Sequence, residues 1–413
     1  MDKSDSEMVR FPKCGKGTGA LRTKEKTMSL TVDTHIPGGN ACQIAIAESG
    51  TLAEIRLTPD PHGGPETLWF RFRVRRTDAA ARSRLRLVIM HFGNLLGGGN
   101  PCFCSPVICP AGGDWTRLGP GAMQVLPDGQ IEGVWEFDFP HAEAEFALCF
   151  PYDTAECDAL VAASGGYWKR DVIGVSQQGR PLVRLSNGYG SEQAGEKRPG
   201  IYAIARQHSG ETPGSWVLHG FLEAFARLAV DDILLWSVPL ANIDGVENGD
   251  YGKDNFPYDL NRAWGSPAMR HETLVMQRDM SRWNARCTAR IAFDFHAPGL
   301  AETSGIYAFL PTADDAFSQR LDRWAACCGR GFGTFADATF GRRANYASRW
   351  ETPGFTRFCI DRLKTPALSF ETPYSFIGSK QMDRADYRQA GSLLAEAIVA
   401  AIRDPASHNL ASE

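Results

Sequence analysis

A histidine and a glutamate stand three apart in Gln207-His208-Ser209-Gly210-Glu211-Thr212. A neutral imidazole and a carboxylate are two of the three protein ligands that a catalytic zinc takes, its fourth position being left to water. The spacing alone also suits a helix-capping glutamate beside a polar histidine. Two further polar residues end apolar runs: His296 closes Arg290-Ile291-Ala292-Phe293-Asp294-Phe295, and Glu371 closes Ala367-Leu368-Ser369-Phe370. A close ligand pair joined by a third residue about 85 positions on is a common way to assemble such a site. That makes His296 the third candidate ligand and Glu371 a candidate general base for a water made acidic by the metal. Asp294, two before His296, stands either to orient an imidazole or as an ordinary sheet-edge carboxylate. In Asp259-Leu260-Asn261-Arg262 the arginine offers a planar fork and the asparagine a further donor, a clamp for a carboxylate. A loop arginine in solvent is the plainer alternative.

These residues need a scaffold that brings distant positions to one rim. Gly200-Ile201-Tyr202-Ala203-Ile204-Ala205 reads as a short buried strand ending just before His208. Trp216, Phe221, Leu222, Phe225 and Leu228 then recur at helical spacing, predicting a helix over 215–228. Further strands are expected at 172–176 and 181–185, joined by a Gln178-Gly179-Arg180 turn, and at 233–240 and 290–295. Helices are expected over about 267–286 and 393–402. Strands alternating with helices make this half α/β, and in open α/β sheets the carboxyl ends of strands form the site. Upstream the texture differs. Thr67 to Val74, Leu85 to Met90 and Val134 to Phe139 are short alternating runs separated by glycine-rich breaks, which predicts an antiparallel β-sandwich. The expected division is a disordered tail at 1–30, the sandwich at 31–153, a linker with a short helix at 154–166, the α/β domain at 167–403 and a polar tail at 404–413. Met28 is an alternative start.

The chain has 413 residues, 43% hydrophobic and 22% charged, with a net charge of −4. That composition is ordinary for a globular protein with a sizeable core and argues against general nucleic-acid binding. No apolar run reaches the ~18–20 residues of a membrane span, and the first residues lack a signal-peptide pattern. The 11 cysteines sit mostly in apolar settings, as reduced thiols of a cytoplasmic protein would. Cys102, Cys104 and Cys109 are clustered, but their spacing matches no standard zinc pattern.

The stretches HSGET, NIDGVENGD, DLNR, FDFH and SFET, in this order and spacing, resemble the zinc carboxypeptidases, and more narrowly their cytosolic carboxypeptidase branch. The resemblance covers roughly residues 35–400 and includes Leu68 to Val74 and Cys149-Phe150-Pro151-Tyr152 of the expected sandwich. It implies a mixed sheet flanked by helices behind that sandwich. It also implies one zinc per chain held by His208, Glu211 and His296, with Glu371 as general base and acid. Asn261 and Arg262 would then bind the terminal carboxylate of a peptide or protein substrate.

The chain departs from the pattern at two places. Where the family has an arginine to support the developing oxyanion, an ungapped count reaches Gly252, with Lys253 beside it as a substitute charge. His296-Ala297-Pro298-Gly299 replaces a more usual H-G-H-S. The branch typically removes C-terminal glutamates through a basic residue in the pocket. Arg357 falls near that position, and Arg342, Arg343 and Arg349 add local positive charge. Tyr346 is the expected closing tyrosine, with Tyr374 as the other choice. Two other functions compete: a zinc amidase or deacylase acting on small N-acyl amino acids, and a binding protein with a weakened site.

Overall fold

The computed structural model describes residues 30–77, 84–343 and 350–404. Tyr346, Arg349 and both tails lie outside them.

Ten strands build the N-terminal sandwich: β1 (Leu30–Asp33), β2 (Cys42–Ser49), β3 (Leu52–Thr58), β4 (Arg71–Arg76), β5 (Arg84–Ile89), β6 (Val107–Pro110), β7 (Thr116–Arg117), β8 (Ala122–Val125), β9 (Ile131–Asp138) and β10 (Glu143–Ala147). They form two five-stranded sheets, ordered β1-β4-β10-β6-β7 and β2-β3-β5-β9-β8. All pairings are antiparallel except β3 with β5. Strand β4 shows why these runs fold as sheet. Phe72 and Val74 point into the core, while Arg71, Arg73 and Arg75 alternate outward. Those arginines meet Glu143 and Glu145 of β10 at 2.6 to 3.0 Å, the cross-strand pairing that fixes register on an exposed face.

After α1 (Thr154–Ala163), eight strands form a third sheet: β11 (Lys169–Val175), β12 (Pro181–Ser186), β13 (Pro199–Ala205), β14 (Leu234–Val238), β15 (Thr288–His296), β16 (Ile306–Leu310), β17 (Ala336–Arg343) and β18 (Ala367–Glu371). Their order is β11-β12-β14-β13-β15-β18-β16-β17. The four central strands are parallel, and the expected β11–β12 hairpin is antiparallel. The central strands are apolar throughout because both faces are covered. Ile201 and Ala203 of β13 pack on the side of α2 (Thr212–Arg227), where α7 (Arg384–Arg403) also lies. Tyr202 and Ile204 pack on the other side, with Met276, Met280 and Trp283 of α4 (His271–Arg286).

Helix α7 begins well before the expected 393, at a capping box of Asp383 with Asp386. Helix α5 (Asp315–Phe332) has no counterpart in the sequence reading; its buried side is assembled from Leu321, Trp324, Ala325, Cys328 and Phe332. Short α3 (Ile243–Asn248) and α6 (Phe355–Phe358) complete the helices used below.

Candidate metal and peptide-binding site

Three strand ends and one helix start converge on a cleft of about 590 Å³. His208 lies in the turn between β13 and α2, and Glu211 is the residue before that helix, whose first turn contains Pro213. Proline is tolerated there because the first N–H groups have no partner within a helix. His296 ends β15 and pairs in register with Glu371, the last residue of β18. Strand pairing thus places the third candidate ligand beside the candidate base.

His208, Glu211 and His296 are buried, and one ligand atom of each lies within 4.8 Å of the others. Glu211 stands between the rings, with Oε1 3.0 Å from His208 Nδ1 and Oε2 2.7 Å from His296 Nδ1. The far nitrogens are held by two other carboxylates. Asp259 Oδ1 lies 3.2 Å from His208 Nε2, and Asp294 Oδ2 lies 2.7 Å from His296 Nε2. Carboxylates behind ligand imidazoles fix the tautomer and leave the inner nitrogens free for a cation. Asp294 is thus placed where it can orient the His296 ring, and it is fully buried. Gln207 Nε2 donates to it, and Trp264 Nε1 donates to Gln207 Oε1 at 2.7 Å.

The electrostatics favour a cation here. Burial opposes charging His208, yet Glu211 and Asp259 outweigh it and lift the ring to about 9. Burial likewise opposes ionising Glu211, but the two histidines hold it well below the carboxylate range. Burial and then Glu211 raise Glu371 to about 7, against His296, Lys253 and His208. Glu371 Oε2 is buried with no hydrogen-bond partner. Two imidazoles and a carboxylate turned inward, beside an orphaned buried carboxylate oxygen, are a donor set that suits zinc with an open position.

Opposite stand Asn261 and Arg262. The backbone N–H of Phe355 donates to Asn261 Oδ1 at 3.1 Å, which orients the amide NH2 away from α6. Its Nδ2 lies 3.2 Å from His296 Nε2. Arg262 lines the cleft, with Nη1 donating to the Asn261 carbonyl. Lys253 also reaches in, its Nζ 3.8 Å from Glu211 Oε1. Burial works against its charge, but Glu211, Glu371, Glu66 and Asp259 keep it above the usual lysine value. It arrives because the loop around residue 251 is stitched to the ligand turn: Gly210 N donates to the Tyr251 carbonyl and Ser209 Oγ to the Asp250 carbonyl.

Arg357 is not brought to the cleft. It faces outward, its Nε 2.7 Å from Asp361 Oδ2 and its Nη1 donating to the Thr312 carbonyl. Its neighbour Thr356 lines the cleft instead. Tyr374 is buried, its O–H donating to the Gly210 carbonyl at 3.3 Å, which suits a support of the ligand turn. The sequence reading missed Asp259, although it precedes Asn261 as Asp294 precedes His296, by two residues. It also missed Glu66 and Leu96, by which the sandwich forms part of the cleft wall.

A mixed eight-stranded sheet with a buried His-Glu-His set at its carboxyl rim defines an α/β protein able to hold a metal ion there. Residues 154–298 match the zinc carboxypeptidase family, Peptidase_M14. Cytosolic carboxypeptidase 2 of Xenopus tropicalis is 28% identical over 256 residues, 54% of this chain and 26% of that protein. Cytosolic carboxypeptidase 6 of Mus musculus is 25% identical over 313 residues, 70% of this chain and 57% of its own length. The chain thus spans well under two thirds of these curated relatives. A solved metallo-carboxypeptidase from Burkholderia cenocepacia superposes with a TM-score of 0.73 at 18% identity, covering 90% of this chain and 98% of that one. Residues 154–298 thus carry the zinc carboxypeptidase match, and over a longer stretch the chain is similar to cytosolic carboxypeptidases.

Proposed function

We propose that the chain is a zinc-dependent metallocarboxypeptidase that removes residues from the C-termini of peptides or proteins. The observation that carries this is one cleft with the His208-Glu211-His296 set on one side, Arg262 on the other and Glu371 at its edge. When bound, zinc supplies Lewis acidity, making a water more acidic and polarising the scissile carbonyl. Arg262 receives the terminal carboxylate in its planar fork, and the Asn261 amide adds a donor. That fixes the last peptide bond near Glu371, whose carboxylate accepts the proton of the attacking water and passes it to the leaving amine. Lys253 stands in for the arginine that Gly252 lacks, its ammonium opposing negative charge that develops on the carbonyl oxygen.

The relatives' names place them in the cytosol, and we place this chain there too. Among the described residues, no helix is long and apolar enough to cross a membrane.

The test compares one peptide with a free and an amidated C-terminus, incubated with the zinc-loaded protein and followed by mass spectrometry. The free form should shorten one residue at a time, and the amidated form should stay intact. Equal cleavage of both, or hydrolysis of small N-acyl amino acids alone, would overturn the reading.

A further inference from the structure

We infer that the chain carries a second ligand site, a cavity between α1, α2 and α7 that takes a small organic monocarboxylate, an anionic head on an apolar body. The site stands apart from the cleft and does not rest on the carboxypeptidase reading.

The cavity measures about 590 Å³, a size that suits a small molecule. It lies where α1, the link between the sandwich and the α/β domain, meets the other two helices. Small side chains on α1 keep the space open. Ala159 and Ala163 stand one helical turn apart and both line it, as does Ala226 of α2. Leu160 and the Trp216 indole complete its apolar walls.

Among the described residues, three arginines line this cavity, and two of them are engaged. Arg388 Nη2 holds both oxygens of Glu223, at 2.6 and 2.8 Å, and Arg227 Nη2 meets Glu396 at 2.7 Å. Arg384 differs. Its guanidinium lies 5.5 Å over the Trp216 ring, and among the described residues it has no ion pair and no hydrogen bond. The two carboxylates of the cavity do not take it. Glu223 is held by Arg388, and Glu156 Oε2 accepts the Asp153 N–H at 2.9 Å in the capping box of α1.

His219 supplies a second donor. The residue is 9% exposed, its ring packs 5.4 Å from that of Trp216, and it lines the cavity. Its Nδ1 lies 3.2 Å from the Tyr152 hydroxyl, while Nε2 has no partner among the described residues. The Cys157 thiol donates to the Tyr152 oxygen at 3.7 Å. Tyr152 therefore turns its own proton towards Nδ1, and the ring, kept neutral by burial, carries its hydrogen on Nε2. A nearly buried N–H without an acceptor is unfavourable, and a bound oxygen removes that penalty. One guanidinium fork and one N–H, both against the same indole, match the two oxygens of a carboxylate. A phosphate dianion would bring more charge and more acceptors than these two donors meet. The rest of the ligand then buries apolar surface against Trp216 and the alanines.

The test uses the full chain loaded with zinc and carrying Arg262→Gln, which removes the carboxylate clamp of the cleft. This protein is titrated calorimetrically with 4-phenylbutyrate, 4-phenylbutanol, acetate and inorganic phosphate. Phenylbutyrate should bind at one site, about tenfold or more tighter than the other three, since each of them lacks either the charged head or the apolar body. Adding Arg384→Gln should weaken that binding about tenfold or more, because a charge-assisted hydrogen bond is lost. Arg384→Lys, which keeps the charge, should weaken it less, and Ala159→Trp, which fills the cavity, should abolish it. In spectra of histidine-labelled protein one imidazole should shift on binding, the one missing from His219→Gln. Absence of phenylbutyrate binding overturns the inference. So does binding left unchanged by Arg384→Gln or by Ala159→Trp, and so does acetate or phosphate binding as tightly as phenylbutyrate.

Discussion

The carboxylates at this site sort by what they touch. Glu211 faces both imidazoles. Asp259 and Asp294 face the outer nitrogens of the same rings. Glu371 has an oxygen buried with no partner. Their amide variants should therefore fail differently. Asp259→Asn and Asp294→Asn replace an acceptor that orients a ring, and each should weaken zinc affinity by about 10- to 100-fold. Glu371→Gln removes no ring support, so it should bind zinc as the parent does yet lose turnover by on the order of 10²–10⁴-fold. Competition with a chromogenic chelator gives the affinities, and peptide turnover at saturating zinc gives the rates. A Glu371→Gln variant that lost zinc with its activity would make Glu371 a ligand rather than the base.

At the scale of elements, the loop carrying Gly252 and Lys253 leaves no room for the arginine that the resemblance leads one to expect at 252. Gly252 has φ +84°, and a Cβ built there would lie 2.4 Å from Ser209 Oγ and 2.6 Å from Ser209 N. Both the backbone conformation and the close approach require glycine. An arginine restored at 252 would push the ligand turn rather than complete the site. Gly252→Ala should already cost about 1–3 kcal/mol by urea unfolding, from strain at positive φ plus the displaced turn. Gly252→Arg should also lower turnover instead of raising it, and a gain in turnover would refute this account. The same scale explains what could be read in the sequence. His296 and Glu371 were legible because a polar residue closing an apolar strand stands out. The Thr356–Arg357 offset was not, because a four-residue helix with half-exposed positions has no periodicity to read. Glu66 and Leu96 were invisible for another reason: nothing local in the sandwich sequence tells that its loops reach the cleft of the next domain. Helix α5 was hidden because its buried side relies on Ala325, Cys327 and Cys328 as well as large apolar residues.

At the scale of the molecule, the sandwich is strapped to the α/β domain directly behind the ligand turn. Arg117 donates to the carbonyls of Ser105, Tyr374 and Met382, joining both halves through one half-buried arginine. Arg206 donates to the carbonyls of Tyr152 and Ser209, each at 2.7 Å, and Trp216 Nε1 to that of Phe150 at 3.0 Å. The same junction holds His219 of α2, whose Nδ1 lies 3.2 Å from the Tyr152 hydroxyl. Burial pushes this imidazole down to about 4, with Arg388 and Arg384 acting the same way and Glu223 opposing. The folded protein therefore keeps His219 neutral where the unfolded chain, with a pKa near 6.5, takes up a proton. More protons on the unfolded chain mean that stability rises with pH, so this contribution is lost as pH falls from about 6.5 toward about 4. Between pH 7 and pH 5 it amounts to about 2 kcal/mol. Glu156, lifted to about 7 by burial and then Asp153, has the opposite sign, since its neutral form is favoured by folding and it costs stability as pH rises. The parent's profile alone would mix the two, so the useful quantity is a difference. Gln at 219 keeps an acceptor for Tyr152 and carries no charge at either pH. His219→Gln should therefore be less stable than the parent at pH 7, yet lose about 2 kcal/mol less on going to pH 5, with every other titrating group cancelling. Urea unfolding of both proteins at the two pH values measures this, and parallel acid losses would show that His219 is protonated in the folded junction.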